Sequence, residues 1–430
     1  MVSTSLKASM HVVKDAKQMK FDAIPENPLW NTGEEKELKI HRIHSYPARF
    51  PAFITTKALE FAESEMDSLD WIADIFCGCG TVAYEAKRNN INFWGCDINP
   101  IATMIAKTKS KEYKKEKIKR YFDEILYIYC KEENPHREYE NANDRLKYWY
   151  RKNQFEELSR LKRAIETAVS PMSHYRLFFL CAFSNILKPT SRWLTKSIKP
   201  QVDPDKNPAD VEPVFIEQCK FMMAANEESD VSSTSRTEIV TANILDKFTY
   251  HPQVDMIITS PPYVTSYEYA DLHQLSVLWL GYTNDYRKLR NGSIGSLYHI
   301  YNFDRELKRL NHTGTNIVFR LLEYEKSKAR SVAKFFLDMQ EVAKKCFSML
   351  TDNGLALFVI GDTEYKGVRI ENARHLSESL LSSGFSEVFV TKRHIMRKIL
   401  TPYRDSMGRF TTDKNIRKVY AEEFIIIGRK

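Results

Sequence analysis

An apolar stretch, Trp71-Ile72-Ala73-Asp74-Ile75-Phe76, runs straight into the turn Cys77-Gly78-Cys79-Gly80-Thr81 and then into a helical pattern, Val82–Arg88. Strand, glycine turn and helix in this order constrain the fold more than any other feature. Glycines let the backbone approach a ligand closely, and in open α/β sheets ligands sit outside the carboxyl ends of the strands. A second strand, Ile91–Asp97, leads to a helix opening at Pro100, a normal first helical position for proline. Asp97 ends that strand 23 residues after Asp74. Dinucleotide-binding and related folds place there the acid that holds ribose hydroxyls. The turn reads Gly-x-Gly-Thr, without the third glycine of a nicotinamide fingerprint, and the chain has no Gly-Lys-Ser/Thr phosphate loop. A cofactor with ribose but no phosphate suits it better; a tight turn without a ligand is the plain alternative.

Strand character returns at Glu238–Thr241, at Val254–Thr259, at Leu355–Ile360 after a turn over 351–354, and at Ser386–Thr391 and Glu423–Ile427. Alternating strands and helices predict an α/β, mostly parallel, doubly wound sheet. The last two strands have no helix between them, which predicts an antiparallel hairpin. From Glu112 to Asn185 the period is helical, the charge dense and strand signals absent. Five prolines within 188–213 predict an extended, irregular connection. The expected organisation is an N-terminal extension (1–40), the first half of the sheet domain (41–110), a helical, basic insertion (111–235), and the second half (236–430). A shorter insertion interrupts that second half at about 283–328.

Composition adds limits. The 430 residues are 43% hydrophobic, enough for a sizeable core, and carry a net charge of +8, which permits a polyanion partner without requiring one. No apolar run reaches membrane-span length and the N-terminus lacks a secretory pattern, so a soluble, intracellular protein is expected. The seven cysteines are scattered; only Cys77 and Cys79 are close, and no partner set completes a zinc site, so no metal is expected. Lys111–Arg120 is densely basic, and Tyr, Trp and Arg alternate through Lys147–Lys152; from charge alone these are solvated helix faces.

The second chemical signal is Thr259-Ser260-Pro261-Pro262-Tyr263, directly after the apolar strand Val254–Ile258. Two consecutive prolines stop the strand, stiffen the backbone and have no N–H to donate. Their carbonyls are available as acceptors while the following aromatic ring is held in place. A rigid turn of no function is the alternative.

With both motifs in view, the chain resembles the amino-DNA methyltransferases, site-specific enzymes of the cytosine-N4, T-S-P-P-Y type. Asp74–Thr81 is similar to their D-x-F-x-G-x-G-T loop, and Thr259–Tyr263 to their S/D/N-P-P-Y/F motif. His44-Ser-Tyr-Pro-Ala-Arg-Phe50 resembles the H-x-Y-P-A-K-F segment that precedes the loop, and Asp97-Ile98-Asn99-Pro100 the acidic motif. The resemblance implies a seven-stranded, Rossmann-like methyltransferase sheet with a C-terminal antiparallel hairpin, and S-adenosyl-L-methionine as cofactor. It implies that Asp74, Phe76, Cys77, Gly78, Gly80 and Thr81 surround the methionine moiety. Asp97 with Ile98 would hold the ribose, and His44, Tyr46 and Phe50 would close over the cofactor. Asn243 sits where relatives often carry an Asp at the adenine edge, a departure from the pattern.

Ser260, Pro261, Pro262 and Tyr263 would be catalytic. An exocyclic base nitrogen is a poor nucleophile because its lone pair is delocalised into the ring. Acceptors on its hydrogens, the Ser260 hydroxyl and Pro261 carbonyl, would favour a pyramidal nitrogen aimed at the methyl group. The base would be flipped out of double-stranded DNA onto Tyr263. Methylation at carbon 5 needs a Pro-Cys nucleophile, and the chain has no such dipeptide. Within the family a Ser at the first motif position goes mostly with cytosine N4. Adenine N6 and RNA amines remain alternatives, as do a catalytically inactive DNA-binding subunit and a small-molecule or protein methyltransferase. The resemblance gives the insertion a role in target recognition, with Arg145, Lys147, Trp149, Arg151 and Arg192 as phosphate-positioning contacts. The segment 283–328 and the basic loop Lys392–Lys418 compete for that role. The implied setting is restriction–modification in the cytoplasm of a bacterial or archaeal cell. The cognate restriction endonuclease would be encoded separately, since no nuclease motif is evident here.

Overall fold

The computed structural model describes all residues except 1–5, 8, 9, 34, 35, 48, 134–137, 196, 198, 230–232, 249, 250, 265–267, 297, 299, 397–412 and 414–420. Among the described residues the strands are β1 (His11–Val12), β2 (Trp71–Asp74), β3 (Asn92–Asp97), β4 (Thr237–Thr241), β5 (Val254–Thr259), β6 (Leu350–Ile360), β7 (Thr363–Tyr365), β8 (Val368–Ile370), β9 (Glu387–His394) and β10 (Glu422–Arg429). Eight form one sheet in the order β1-β9-β10-β6-β5-β2-β3-β4, and β7 and β8 make a separate hairpin. The pairs β6–β5, β5–β2, β2–β3 and β3–β4 are parallel, while β10 lies antiparallel between β6 and β9.

The parallel sheet and the terminal hairpin agree with the sequence reading. The strand count differs: the expected seven are joined by β1, whose two residues pair with Val390 and Phe389 of β9. His11 and Val12 thus cover an edge strand that would otherwise present unpaired backbone groups. A second difference lies in β6. The turn expected over 351–354 is an irregularity inside the strand, where Val254 pairs with Leu350 but Met256 pairs with Leu355. Asn353 takes a left-handed φ of 63° there, so the chain bulges and re-enters the ladder.

Both faces of the sheet are covered, which is why its strands read as continuous apolar runs. Along β6, Leu355, Leu357 and Val359 face one core with Ile72, Met256 and Ile258, while Ala356, Phe358 and Ile360 face another with Ala73 and Ile257. Helices α1 (Ala52–Glu65) and α2 (Thr81–Arg88) pack on the first face, and α3 (Pro100–Ser110) follows β3. The insertion contributes α4 (Lys115–Lys131), α5 (Asp144–Trp149), α6 (Lys152–Ala168), α7 (Tyr175–Ile186) and α8 (Val211–Glu228). These build a third core on Ile101, Met104 and Ile105 of α3. Between α7 and α8 the proline-rich stretch is irregular apart from one bridge, Trp193 to Val202.

After β5 come α9 (Tyr269–Leu272), α10 (Gln274–Trp279), α11 (Phe303–Glu306), α12 (His312–Leu322), α13 (Lys326–Met349) and, before β9, α14 (Asn372–Ser382). The 283–328 segment does not stand apart from the domain: Ile317, Val318 and Leu321 of α12 belong to the core under the second face. Among the described residues no helix is long and apolar enough to cross a membrane.

Candidate active site

Strands β2 and β5 are parallel neighbours, so the two motifs that follow them emerge side by side at their carboxyl ends. The Thr259 hydroxyl donates to Asp74 Oδ1 across 2.6 Å, joining motifs 185 residues apart in sequence. The same oxygen accepts the Phe76 amide at 3.1 Å. Burial pushes the Asp74 carboxyl up to about 7, against the opposing pull of these two hydrogen bonds.

The glycine turn is shaped by two left-handed residues, Gly78 at φ 47° and Gly80 at φ 75°. Gly80 caps α2, and a Cβ there would lie 2.5 Å from the Ala106 Cβ, so no other residue lets α2 and α3 meet this closely. The Gly78 amide donates to Asp97 Oδ2 at 2.9 Å, and the Asn99 amide to Oδ1 at 2.8 Å. Burial raises the Asp97 carboxyl to about 6, and those amides pull it back toward the charged form. Asn99 then caps α3 through Ile101.

These groups face a cavity of about 880 Å³, its solvent-open mouth included. Of the expected cofactor residues, Tyr46, Phe76, Gly78, Asp97, Ile98 and Asn243 line it, and from the second motif Ser260 and Pro262 do. His44, Phe50, Asp74, Cys77, Gly80 and Thr81 do not line it. Phe50 packs on the core under the first face of the sheet. His44 is buried and bonds Ser184 Oγ at 2.9 Å, a hydroxyl that continues to Ser276. Burial, with His273 and Lys109 nearby, lowers His44 to about 3, so it is a neutral imidazole. Tyr46 stacks on His273 at 5.1 Å, and burial lowers that imidazole to about 4. Thr81 Oγ1 and His273 Nε2 are buried without a partner among the described residues.

In the second motif, Ser260 Oγ donates to the Val359 carbonyl at 3.0 Å. Its proton committed, the hydroxyl offers the cavity only lone pairs. Pro261 is buried and Pro262 half-buried. Tyr263 lies against Gly361 and donates its hydroxyl to Glu423 Oε1 at 2.6 Å. Glu423 Oε2 in turn takes Arg393 Nε at 2.9 Å, so a buried ion pair fixes the ring's orientation. Residues 265–267, next after the motif, lie outside the described residues.

Several site residues carried no sequence signal. Glu423 and Arg393 sit on the terminal hairpin, brought under Tyr263 by the position of β10 beside β6. Leu289, Gly292, Ser293 and Ile294 form a wall of the cavity. The Asn243 side-chain amide donates to the Gly292 carbonyl at 2.8 Å and ties that wall to the end of β4. Part of the 283–328 segment thus belongs to the cavity.

The DNA-contact candidates divide. Trp149 is 1% exposed, stacks on Trp193 at 4.8 Å and donates Nε1 to Gln274, which makes it a core residue of the insertion and not a surface contact. Tyr-Trp alternation in a basic run resembles a nucleic-acid surface, but here Tyr148 is exposed while Trp149 and Tyr150 turn into the core. Arg145 donates to Gln274 at 2.6 Å, Lys147 pairs with Asp144 at 2.7 Å, and Arg192 bonds the Tyr148 carbonyl. Arg151 is exposed. Nearly all of the Lys392–Lys418 loop beyond Met396 lies outside the described residues.

The cavity fits an adenosyl cofactor by its own chemistry. Among the described residues Asp97 is its only charged lining residue, and neither lysine nor arginine faces it, so phosphates find no counter-charge there. Asp97 supplies acceptors for ribose hydroxyls, and Ile98, Ala242 and Ile244 supply apolar walls for a base.

Comparisons with known proteins agree. The family model described as DNA methylase, N6_N4_Mtase, matches residues 6–108. The chain is 24% identical over 394 residues to the type II methyltransferase M.MvaI of Kocuria varians, covering 84% of this chain and 85% of that protein. It is 30% identical over 93 residues to the type II methyltransferase M.MjaII of Methanocaldococcus jannaschii, covering 22% and 17%. A solved structure, the rRNA methyltransferase aviRa from Streptomyces viridochromogenes, aligns over 87% of this chain and all of that one. Its TM-score of 0.28 at 10% identity is too low to carry an argument. The resemblance read from the motifs is borne out as a similarity: the DNA methylase model matches the first part of the chain, and most of its length is similar to a type II methyltransferase.

Proposed function

We propose that this chain uses S-adenosylmethionine to methylate the exocyclic N4 of cytosine in a specific DNA sequence, in a restriction–modification setting. One observation carries the reading: the Asp74–Thr259 hydrogen bond joins the two motifs, so Asp97 and Ser260 face one cavity. The cofactor, when bound, supplies an electrophilic methyl group. Everything else falls to the protein. Asp97 accepts the ribose hydroxyls, and the glycine turn gives the methionine part close backbone approach. Ser260, its proton held by Val359, accepts one hydrogen of the substrate amine, and the Pro261 carbonyl the other. Tyr263, locked by Glu423 and Arg393, stacks on the flipped base. Catalysis then rests on orientation and on acceptors placed where positive charge develops on nitrogen.

The choice of cytosine N4 rests on Ser260, and double-stranded DNA as partner on the family. The test is incubation of the full chain with isotope-labelled cofactor and duplex DNA, followed by nucleoside mass spectrometry. Labelled N4-methylcytosine is expected. Label on adenine N6 would correct the base, and label only in RNA or protein would overturn the reading.

A further inference from the structure

A second cavity lies between the C-terminal end of α3 and the helical insertion, and its chemistry is the reverse of the first. It measures about 1270 Å³ with its mouth included, and is lined by five lysines (Lys87, Lys109, Lys111, Lys114, Lys117) against one acid, Glu112. Glu112 lies 3.4 Å from Lys87. The other four lysines have no ion pair among the described residues. Lys109 decides the matter. It is 2% exposed, and among the described residues its ammonium has one bond, 3.5 Å to the Cys79 sulfur, a weak acceptor. A cation held that deep without a carboxylate is costly unless an anion reaches it. The Tyr113 hydroxyl, on the same lining, is buried beside Thr108.

We propose that this cavity binds a nucleotide, a phosphate carried on an aromatic base. A duplex presents its phosphates on a convex ridge and cannot lower one onto a lysine this buried. A phosphate ion alone would occupy a small part of the space. Its walls also carry the rings of Tyr84, Tyr113, Tyr175 and Phe178, faces on which a base can lie. Phosphate meets Lys109 in the interior, with Lys111, Lys114 and Lys117 screening it at the exposed rim. This site is separate from the adenosyl cavity and does not rest on the methyl-transfer reading.

Calorimetric titration of the full chain with AMP, CMP, GMP, UMP or inorganic phosphate tests it, with and without saturating S-adenosylhomocysteine. At least one nucleotide should bind saturably at one site whether or not S-adenosylhomocysteine is present, with inorganic phosphate at least about tenfold weaker. Lys109→Met should abolish that binding. Lys117→Glu, on the exposed rim and harmless to folding, should weaken it by roughly tenfold, the order of one charge-assisted contact. The proposal fails if S-adenosylhomocysteine blocks the nucleotide, if phosphate binds as well as any nucleotide, or if no titration saturates. It fails equally if Lys117→Glu changes duplex DNA affinity and leaves nucleotide affinity as it was.

Discussion

Asp74 gives the sharpest quantitative expectation, because its replacement by Asn imitates the protonated acid in shape and keeps an acceptor for Thr259 and Phe76. Burial lifts this carboxyl to about 7 from an ordinary 3.8, against the pull of Thr259 and Phe76 and with a further upward push from Asp97. Between about pH 4 and 7 the folded protein therefore holds a proton that the unfolded chain has lost. Unfolding free energy must fall as pH rises through that window, and the full penalty, at most about 4 kcal/mol, is present above pH 7. Asp74→Asn removes the penalty. Urea unfolding without cofactor at pH 5.5 and 8.0 should show the wild type losing about 2 kcal/mol relative to the variant. Asp97, raised to about 6, titrates with the same sign in both proteins and cancels apart from its repulsion with Asp74. Parallel stability curves would refute the assignment of a buried, reluctant carboxylate at Asp74.

Other expectations follow from single contacts. Tyr263→Ala should abolish methyl transfer while calorimetric cofactor affinity stays within about twofold, since the ring lies outside the cavity lining; loss of cofactor binding would sink that separation of roles. Gly80→Ala should destabilise by about 2–4 kcal/mol, from a Cβ 2.5 Å from Ala106 and a left-handed φ, as read by denaturant midpoint. Trp149→Ala should cost about 3–5 kcal/mol by thermal unfolding. Arg151→Ala should leave that transition in place and lower the salt slope of DNA binding by about one contact; an unchanged slope would exclude Arg151 from the interface.

The parts of this fold legible in the sequence are those whose signals are local. The glycine turn, the Pro-Pro stop and the acidic end of β3 each need a special backbone or charge, and each stands within eight residues of its strand. The terminal hairpin was legible because the sequence between its two strands carries no helical pattern. Contacts between distant segments left no such trace. β1 is two residues long, too short for a period, and only its pairing with β9 gives it an identity. Glu423 and Arg393 read as a strand's polar ends until β10 places them beneath Tyr263. Trp149 misled because basic and aromatic alternation fits a nucleic-acid surface and an amphipathic helix equally. The solvent-facing charges dominate the reading, while the buried ring carries the packing.

The polarity of one hydrogen bond sets the chemistry at Ser260 and gives a graded test. Because its hydroxyl donates to Val359, the oxygen faces the cavity as an acceptor, suited to an amine N–H and unsuited to a carbonyl or a ring nitrogen lone pair. Ser260→Ala removes the acceptor and leaves the Val359 carbonyl without its donor; kcat/KM should fall about 100- to 1000-fold, as for a lost preorganised contact. Ser260→Asp restores an acceptor but sets a carboxylate against that carbonyl, a repulsion that should cost part of the gain. Ser260→Asn meets both demands, its NH2 donating to Val359 and its carbonyl accepting from the substrate, and should lie closest to wild type. Transfer of labelled methyl groups to duplex DNA, with each variant saturated in cofactor, gives the order Ser, Asn, Asp, Ala. An Asp variant more active than the Asn variant would mean that Val359 does not orient this residue and that its charge, not its geometry, governs the reaction.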